Sequence, residues 1–393
     1  MKHKNKNIIL KTCLSSLFLS ISGLAAADTV ALLSSTTENN DYKTYAGVAG
    51  AGMSVAAGSQ INGHLAAQAA LVIGADTQAQ NAYAGAAVST GAGSVVTNIY
   101  AGAAATIAAN AIATKVVAGA AITAGGGAFA DDFYAGAAIT LGGGTQQRSY
   151  DKTSHVYAGA AYTGTLITKE EGEVEYQKSA GGLEAHINAL KNGKASFDMA
   201  TALNDIDAAY AALSSLTKTE DSNVQAYTLG TSVGVATGPT TLMPGVYQGG
   251  AVNMPADTVI TFNAGSNGHG GYNNNQVWII NLTDALTLGA GTSFDMSKAG
   301  DNATIIWNVG GAVNLGAGTE FIGITIVKGA VTGATASLSC GNLYAKGAVS
   351  IGSIGSVNQY GEGMKCTQSA AKINSFSITT DDQNTVAEIT KNQ

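Results

Sequence analysis

The sequence predicts a mainly β chain, a three-sided solenoid with one α-helix packed against its side. Three observations predict it. Residues 45 to 163 repeat one unit seven times, with Tyr45, His64, Tyr83, Tyr100, Val117, Tyr134 and Tyr157 at steps of 19, 19, 17, 17, 17 and 23, mostly followed by Ala-Gly. A unit this short accommodates three strands and three corners but not a pair of helices. Apolar residues recur at three places in the unit: Ile99, Val116, Phe133 and Val156 just before that column, Val88, Ala105, Ile122, Ile139 and Tyr162 five after it, and Val95, Ile112 and Phe129 twelve after it. Three inward columns imply three sides. Finally, Ala202, Leu203, Ile206, Ala209, Tyr210, Leu213 and Leu216 fall at helical spacing, with Thr201 near the start as a cap.

From the N-terminus, residues 1–27 have the pattern of a signal peptide. Lys2, Lys4, Lys6 and Lys11 precede an apolar stretch from Leu14 to Leu24, and Ala25-Ala26-Ala27 supplies the small residues of a cleavage site. In Leu10-Lys11-Thr12-Cys13 the lysine makes a poor lipoprotein site, so the expected product is exported, secreted and extracellular, without a lipid anchor. Residues 28–168 follow as Ala/Gly-rich coils. Strand alternation assigns their first side: with Ile99 inward, Tyr100 points out, Ala101 in, Gly102 out, Ala103 in, Ala104 out, Ala105 in and Thr106 out. One nearly uncharged face then exposes stacked columns of Tyr, Gly, Ala and hydroxyl residues. Ala104, Thr106, Ala121, Thr123, Ala138, Thr140, Ala161 and Thr163 form the first candidate binding face.

Residues 169–199 are a charged insertion expected to cap or extend the solenoid, and 200–217 are the helix, whose single apolar stripe must pack on the solenoid's side. Coils resume over 218–358: Val313, Val331 and Val349 are 18 apart, and Leu286-Thr287-Leu288-Gly289-Ala290-Gly291-Thr292 echoes Val313-Asn314-Leu315-Gly316-Ala317-Gly318-Thr319. Residues 359–393 read as a polar tail. After Leu24 no apolar run is long enough to span a bilayer. Cys340 and Cys366 are expected to pair in an oxidising compartment, the alternative being two buried thiols.

Composition excludes several functions. Charged residues are 11% of the chain, with 19 basic against 26 acidic, and Arg148 is the sole arginine, so a nucleic-acid groove has nothing to build it from. Gly230-Thr231-Ser232-Val233-Gly234 has the form of a serine-hydrolase elbow, but no helix follows to strain the turn. His64, His155, His186 and His269 lack metal-ligand spacing. Asp131-Asp132 fits a solvated corner better than a cation site, and the carboxylate and basic groove of a polysaccharide lyase is missing. No catalysis, cofactor or metal is expected.

The later coils carry a more specific signal. The helix, Leu242-Met243-Pro244-Gly245-Val246-Tyr247, Gln276-Val277-Trp278-Ile279-Ile280, Ile306-Trp307-Asn308-Val309-Gly310, Leu315 to Gly323 and Lys346-Gly347-Ala348-Val349-Ser350 together resemble the microbial ice-binding protein family, formerly a domain of unknown function, over residues 200 to 358. The chain departs from that pattern at Gly341-Asn342, where Gly-Arg is usual, and in the longer insertion at 169–198. The resemblance implies a right-handed, three-sided β-helix with a long helix alongside, whose coils need not stack in chain order. It also implies a flat ice-binding face, sometimes marked by Thr-Ala/Gly-x-Thr/Asn motifs, which match Thr237-Gly238-Pro239-Thr240 and Thr332-Gly333-Ala334-Thr335. Thr237, Thr240, Asn314, Thr332, Thr335 and Ser350 form the second candidate face.

Two functions follow as expectations. In one the chain is a non-catalytic protein that adsorbs to the ice crystal surface, limiting freezing damage or recrystallisation. In the other it is an extracellular adhesion or matrix protein that binds glycans, or other copies of itself, through the same face. The Ala and Thr columns favour the first; an exposed Tyr column, whose rings stack on sugars, favours the second.

Overall fold

The computed structural model describes residues 28–31, 45–149, 152–168, 172–178, 198–219, 228–229, 240–301, 303–353, 356–358, 375–381 and 384–390. The chain is a three-sided β-solenoid. Its strands form three parallel sheets of 14, 12 and 9 strands, called here the first, second and third sheet in the order in which a coil visits them. Asn98–Ala101 lies in the first sheet and Ala105–Ile107 in the second, and Ile112 bridges Val95 and Phe129 on the third side.

The repeating Ala-Gly has a steric cause. A Cβ on Gly102 would lie 2.1 Å from the Gly85 carbonyl oxygen, one on Gly119 2.1 Å from that of Gly102, and one on Gly136 2.2 Å from that of Gly119. At these three positions any side chain would meet the backbone of the neighbouring coil, whereas Gln68, Thr283, Lys328 and Lys346 stand at the equivalent corner elsewhere in the stack. The eight residues that alternation treats as one side are therefore two strands with a corner between them, and Ala103 is exposed rather than inward. At the next corner, buried hydroxyls satisfy turn carbonyls: Ser94 Oγ donates to Gly91 O at 2.8 Å, and Thr145 and Thr292 do the same to Gly142 and Gly289. The shared Gly-x-Gly-Ser/Thr pattern of the two halves is this corner.

The first two inward columns stand as expected. Ile99, Val116, Phe133 and Val156 are fully buried in the first sheet, as are Val88, Ile122 and Ile139 in the second. Tyr162, at the end of the second column, is 39% exposed and stacks on Tyr176 at 5.1 Å, closing the end of the core. The third column is corrected. Val95, Ile112 and Phe129 do bridge coil to coil, but they face outward and are half-buried, while Ala111, Ala113, Ala128 and Ala130 fill the interior. In a strand this short, with alanines on both sides of a large apolar residue, size does not report orientation.

The coils do not stack in chain order. Tyr45–Ala49, Met53–Val55 and Gln60–Asn62 lie in the middle of the stack, between the coil that follows them and the last coil, Leu343–Ala345, Val349–Ile351 and Ser356–Asn358. The chain winds outward from this midpoint to Tyr162–Thr163 and Glu173–Lys178. The latter strand, from the charged insertion, adds to the end of the first sheet. The second half starts at the other end and winds back to the midpoint.

Among the described residues there is one helix, α1 (Met199–Ser214), which lies on the outer side of the first sheet. Its N-cap is Asp198 rather than Thr201. The Asp198 carboxylate accepts from Thr201 N at 3.1 Å and Thr201 Oγ1 at 2.7 Å, so the threonine is capped instead of capping. Ala202, Ile206, Ala209 and Leu213 pack against Val48, Ala66, Val246, Ile279, Ile306, Ile326 and Tyr344. Burial of Ile206 and Leu213 is worth roughly 1.5–3 kcal/mol each. Polar contacts fix the helix along the stack. Asn281 Nδ2 donates to Leu213 O at 2.7 Å, Asn308 Nδ2 to Tyr210 O at 3.2 Å, and Lys346 Nζ to Leu203 O at 3.2 Å and Asp207 Oδ2 at 2.5 Å. In a separate sheet, Asp28–Ala31 pairs antiparallel with Ser375–Asp381, which forms a hairpin with Asn384–Thr390.

Candidate functional site

The three outer surfaces differ. The first sheet is covered by α1 over the strands from Ala66 to Val246, and its outward column runs Val48, Ala66, Tyr83, Tyr100, Val117, Tyr134, Tyr157. A bulge between Tyr45 and Gly47 places Tyr45 and His64 outside that column. The column is also not exposed: Val117, Tyr134 and Tyr157 are buried together, Tyr83 and Tyr100 are half-buried, and the latter two rings stack on each other at 5.0 Å. Burial pushes the Tyr100 hydroxyl up to about 12, helped by the neighbouring Tyr83, and raises Tyr134 still further with Asp132 nearby. These rings are not free to stack on a sugar. The third sheet is mixed, with Glu320 exposed and Val259 and Ile167 about half exposed.

The second sheet is uniform. Each of its three-residue strands has the central residue facing out and its neighbours in, and Tyr162–Thr163 at one end is exposed at both positions. In-register pairing makes these residues one column: Thr163, Thr140, Thr123, Thr106, Ser89, Val72, Ser54, Ser350, Thr332, Asn314, Thr287, Asn253. Twelve strands at 4.7–4.9 Å give it a length of roughly 50–55 Å. Beside it runs a row of alanines, whose carbonyls accept from the next coil: Ala161, Ala138, Ala121, Ala104, Ala87 and Ala70 to Ile139, Ile122, Ala105, Val88, Leu71 and Met53, then Ala348, Ala330, Ala312 and Ala285 to Val331, Val313, Leu286 and Val252. Gly52 alone interrupts that ladder, accepting from Val349 N at 3.1 Å. Neither row contains a charged residue.

The two candidate faces therefore merge. Thr106, Thr123, Thr140 and Thr163 share their column with Asn314, Thr332 and Ser350, and Ala104, Ala121, Ala138 and Ala161 lie in the adjacent row. Thr335 does not belong, because it sits in the turn after Val331–Gly333. Thr240 lies beside the third sheet, where its carbonyl accepts from Thr261 N. Thr237, Cys366, His186 and the Gly230–Gly234 segment lie outside the described residues, as does the 1–27 segment. Ser54, Val72, Thr287 and Asn253 escaped the sequence reading, although Thr287 was within reach through the echo of Leu286-Thr287-Leu288 in Val313-Asn314-Leu315.

Asp131 and Asp132 are buried rather than solvated. Asp131 accepts from Arg148 N, Ser149 N and Ser149 Oγ at 2.6–2.9 Å, and Asp132 contacts His155 Nδ1 at 2.8 Å and Lys152 Nζ at 3.5 Å. Their turn needs acceptors, which explains the pair without a ligand. Among the described residues no group of three or more His, Cys, Asp or Glu is placed to hold a metal, and no helix is long and apolar enough to cross a membrane.

Parallel coils, a helix along one side and a long, repetitive, uncharged column define the class of the fold as a β-solenoid. A family model described as ice-binding-like matches residues 153–356, more than half of the chain, and the chain belongs to that family. Among solved structures, it is similar to the ice-binding protein of the Antarctic ascomycete Antarctomyces psychrotrophicus, at 16% identity over 81% of this chain and 95% of that one, with a TM-score of 0.37. It is also similar to the domain of Shewanella frigidimarina ice-binding protein 1, at 20% identity over 65% and 93%, TM-score 0.33. The ice-binding protein of an Antarctic Flavobacteriaceae bacterium aligns at 14% identity over 82% and 98%, TM-score 0.32. No curated protein matches the chain.

Proposed function

We propose that the protein is secreted and non-catalytic, and that it adsorbs to ice through the outer face of the second sheet. The observation that carries this reading is the unbroken, charge-free column from Thr163 to Asn253 with its alanine row. A crystal surface is a periodic partner, so it is matched best by side chains repeated at a fixed interval on a rigid backbone. The strand ladder sets that interval, and its hydrogen bonds hold the groups in place before contact, so little conformational freedom is lost on binding. Methyl groups of Ala and Thr order the adjacent water, while hydroxyls of Thr and Ser hydrogen-bond to it. Charged groups on the same face would have to shed tightly held hydration.

The adhesion reading uses the same face and was favoured by an exposed tyrosine column, and the burial of Tyr134 and Tyr157 weakens that preference. Ice-affinity partitioning tests the proposal: the exported protein is expected to concentrate in a slowly grown ice fraction, and its exclusion from that fraction at the level of a control protein would overturn the reading.

A further inference from the structure

Almost every neighbouring pair of coils is joined by a short corner, and the length of the connection fixes how the strands align. The midpoint of the stack is different. There the first coil meets the last, and no loop sets their alignment, yet the two halves of the second-sheet face join in register. Parallel strands with inward apolar residues tolerate a two-residue slip that keeps the same faces in and out, so a specific contact is required. Ser59 Oγ reaches across this junction to donate to Gly352 O at 3.2 Å, and the shorter contact is made by Asn342. Asn342, buried beside the last coil, donates from Nδ2 to Tyr45 O at 2.6 Å across 297 residues of chain, while its own carbonyl accepts from Thr325 N at 2.9 Å in the preceding coil. Its acceptor is presented by the bulge. Tyr45 pairs with His64 and Gly47 with both Leu65 and Leu343, which leaves Ala46 as the extra residue.

We propose that Asn342 is a positioning residue that, with the bulge at Ala46, locks the register between the two half-solenoids and so makes the second-sheet face one lattice. A leucine here would fill similar space but could not donate, and a slipped register would break the face between Ser54 and Ser350. The consequence for ice rests on the function proposed above; the lock itself does not.

The test is hydrogen exchange of the full exported chain carrying Asn342→Leu. Amides of Tyr45–Ala49 and Leu343–Ala345 should exchange at least tenfold faster, with Lys115–Ala118 and Thr304–Val309, inside each half, unchanged, and recrystallisation inhibition should fall. Adding Gln60→Cys and Ser356→Cys, which pair on the third sheet away from the face, should restore both once peptide mapping shows the bond. Junction amides that keep wild-type exchange would overturn the lock, as would loss of protection throughout both halves or failure of the cross-link to restore the junction. If wild type lacks ice activity the ice reading falls, and exchange still decides the lock.

Discussion

Ser54 lies directly opposite Ser350 on adjacent strands of the second sheet, and at this pairing the first and last coils of the chain meet. Residues from both halves, which look like separate surfaces in the sequence, are consecutive steps of one column. Substitutions at distant positions should therefore have the same effect, whereas those at neighbouring positions can differ.

Thr335 supplies that contrast. It is three residues from Thr332 but stands in a turn off the face, so Thr335→Lys should leave ice activity within twofold of wild type. Recrystallisation inhibition measured over a concentration series checks this; a loss matching that of Thr332→Lys would show that the active surface extends round the corner.

The corner glycines should be intolerant of the smallest addition. Gly119→Ala places a methyl carbon about 2.1 Å from Gly102 O, and backbone rather than a flexible side chain must yield. A loss of roughly 1–3 kcal/mol is expected on the scale of overpacked cores, read from urea unfolding. Unchanged stability would mean that the coils are not in close contact there.

At the helix, Asp198→Ala removes the acceptor for Thr201 N and should cost about 1 kcal/mol. Thr201→Val keeps the backbone donor and should cost less. The reverse order would return the capping role to Thr201.

Alkaline pH should destabilise the fold. Tyr100 ordinarily ionises near 10, and burial raises it to about 12 in the folded chain. Its stabilising contribution is complete below pH 10 and is lost as pH rises toward 12, because the unfolded chain releases the proton first. Thermal unfolding midpoints should fall across that window, and fall less steeply in Tyr100→Phe. A wild-type midpoint that stays flat from pH 10 to 12 would contradict the burial of these rings.

Much of this was legible in the sequence because it is local. Thr106 and Thr123 could be assigned to a face because Ala105–Ile107 and Ile122–Ala124 alternate cleanly, and α1 because its apolar residues keep helical spacing. What failed depended on distance or on small residues. The tyrosine column does point outward, but its burial depends on tertiary packing. On the third side, Ile112 between two alanines gave no cue to which residue was inside. The junction of Ser54 with Ser350 has no local signature, and the departure at Asn342 was visible only as an irregularity before the structure showed its acceptor.

One continuous face on the second sheet is proposed to bind ice. The most direct measurement is recrystallisation inhibition by wild type, Thr123→Lys and Thr332→Lys, each with its melting transition. The two sites lie in different halves of the chain but in the same column, and both side chains face solvent. Both variants should melt within a degree or two of wild type, since exposed substitutions cost little, and both should lose at least tenfold in activity. Full activity in either variant, with the fold intact, would contradict the account.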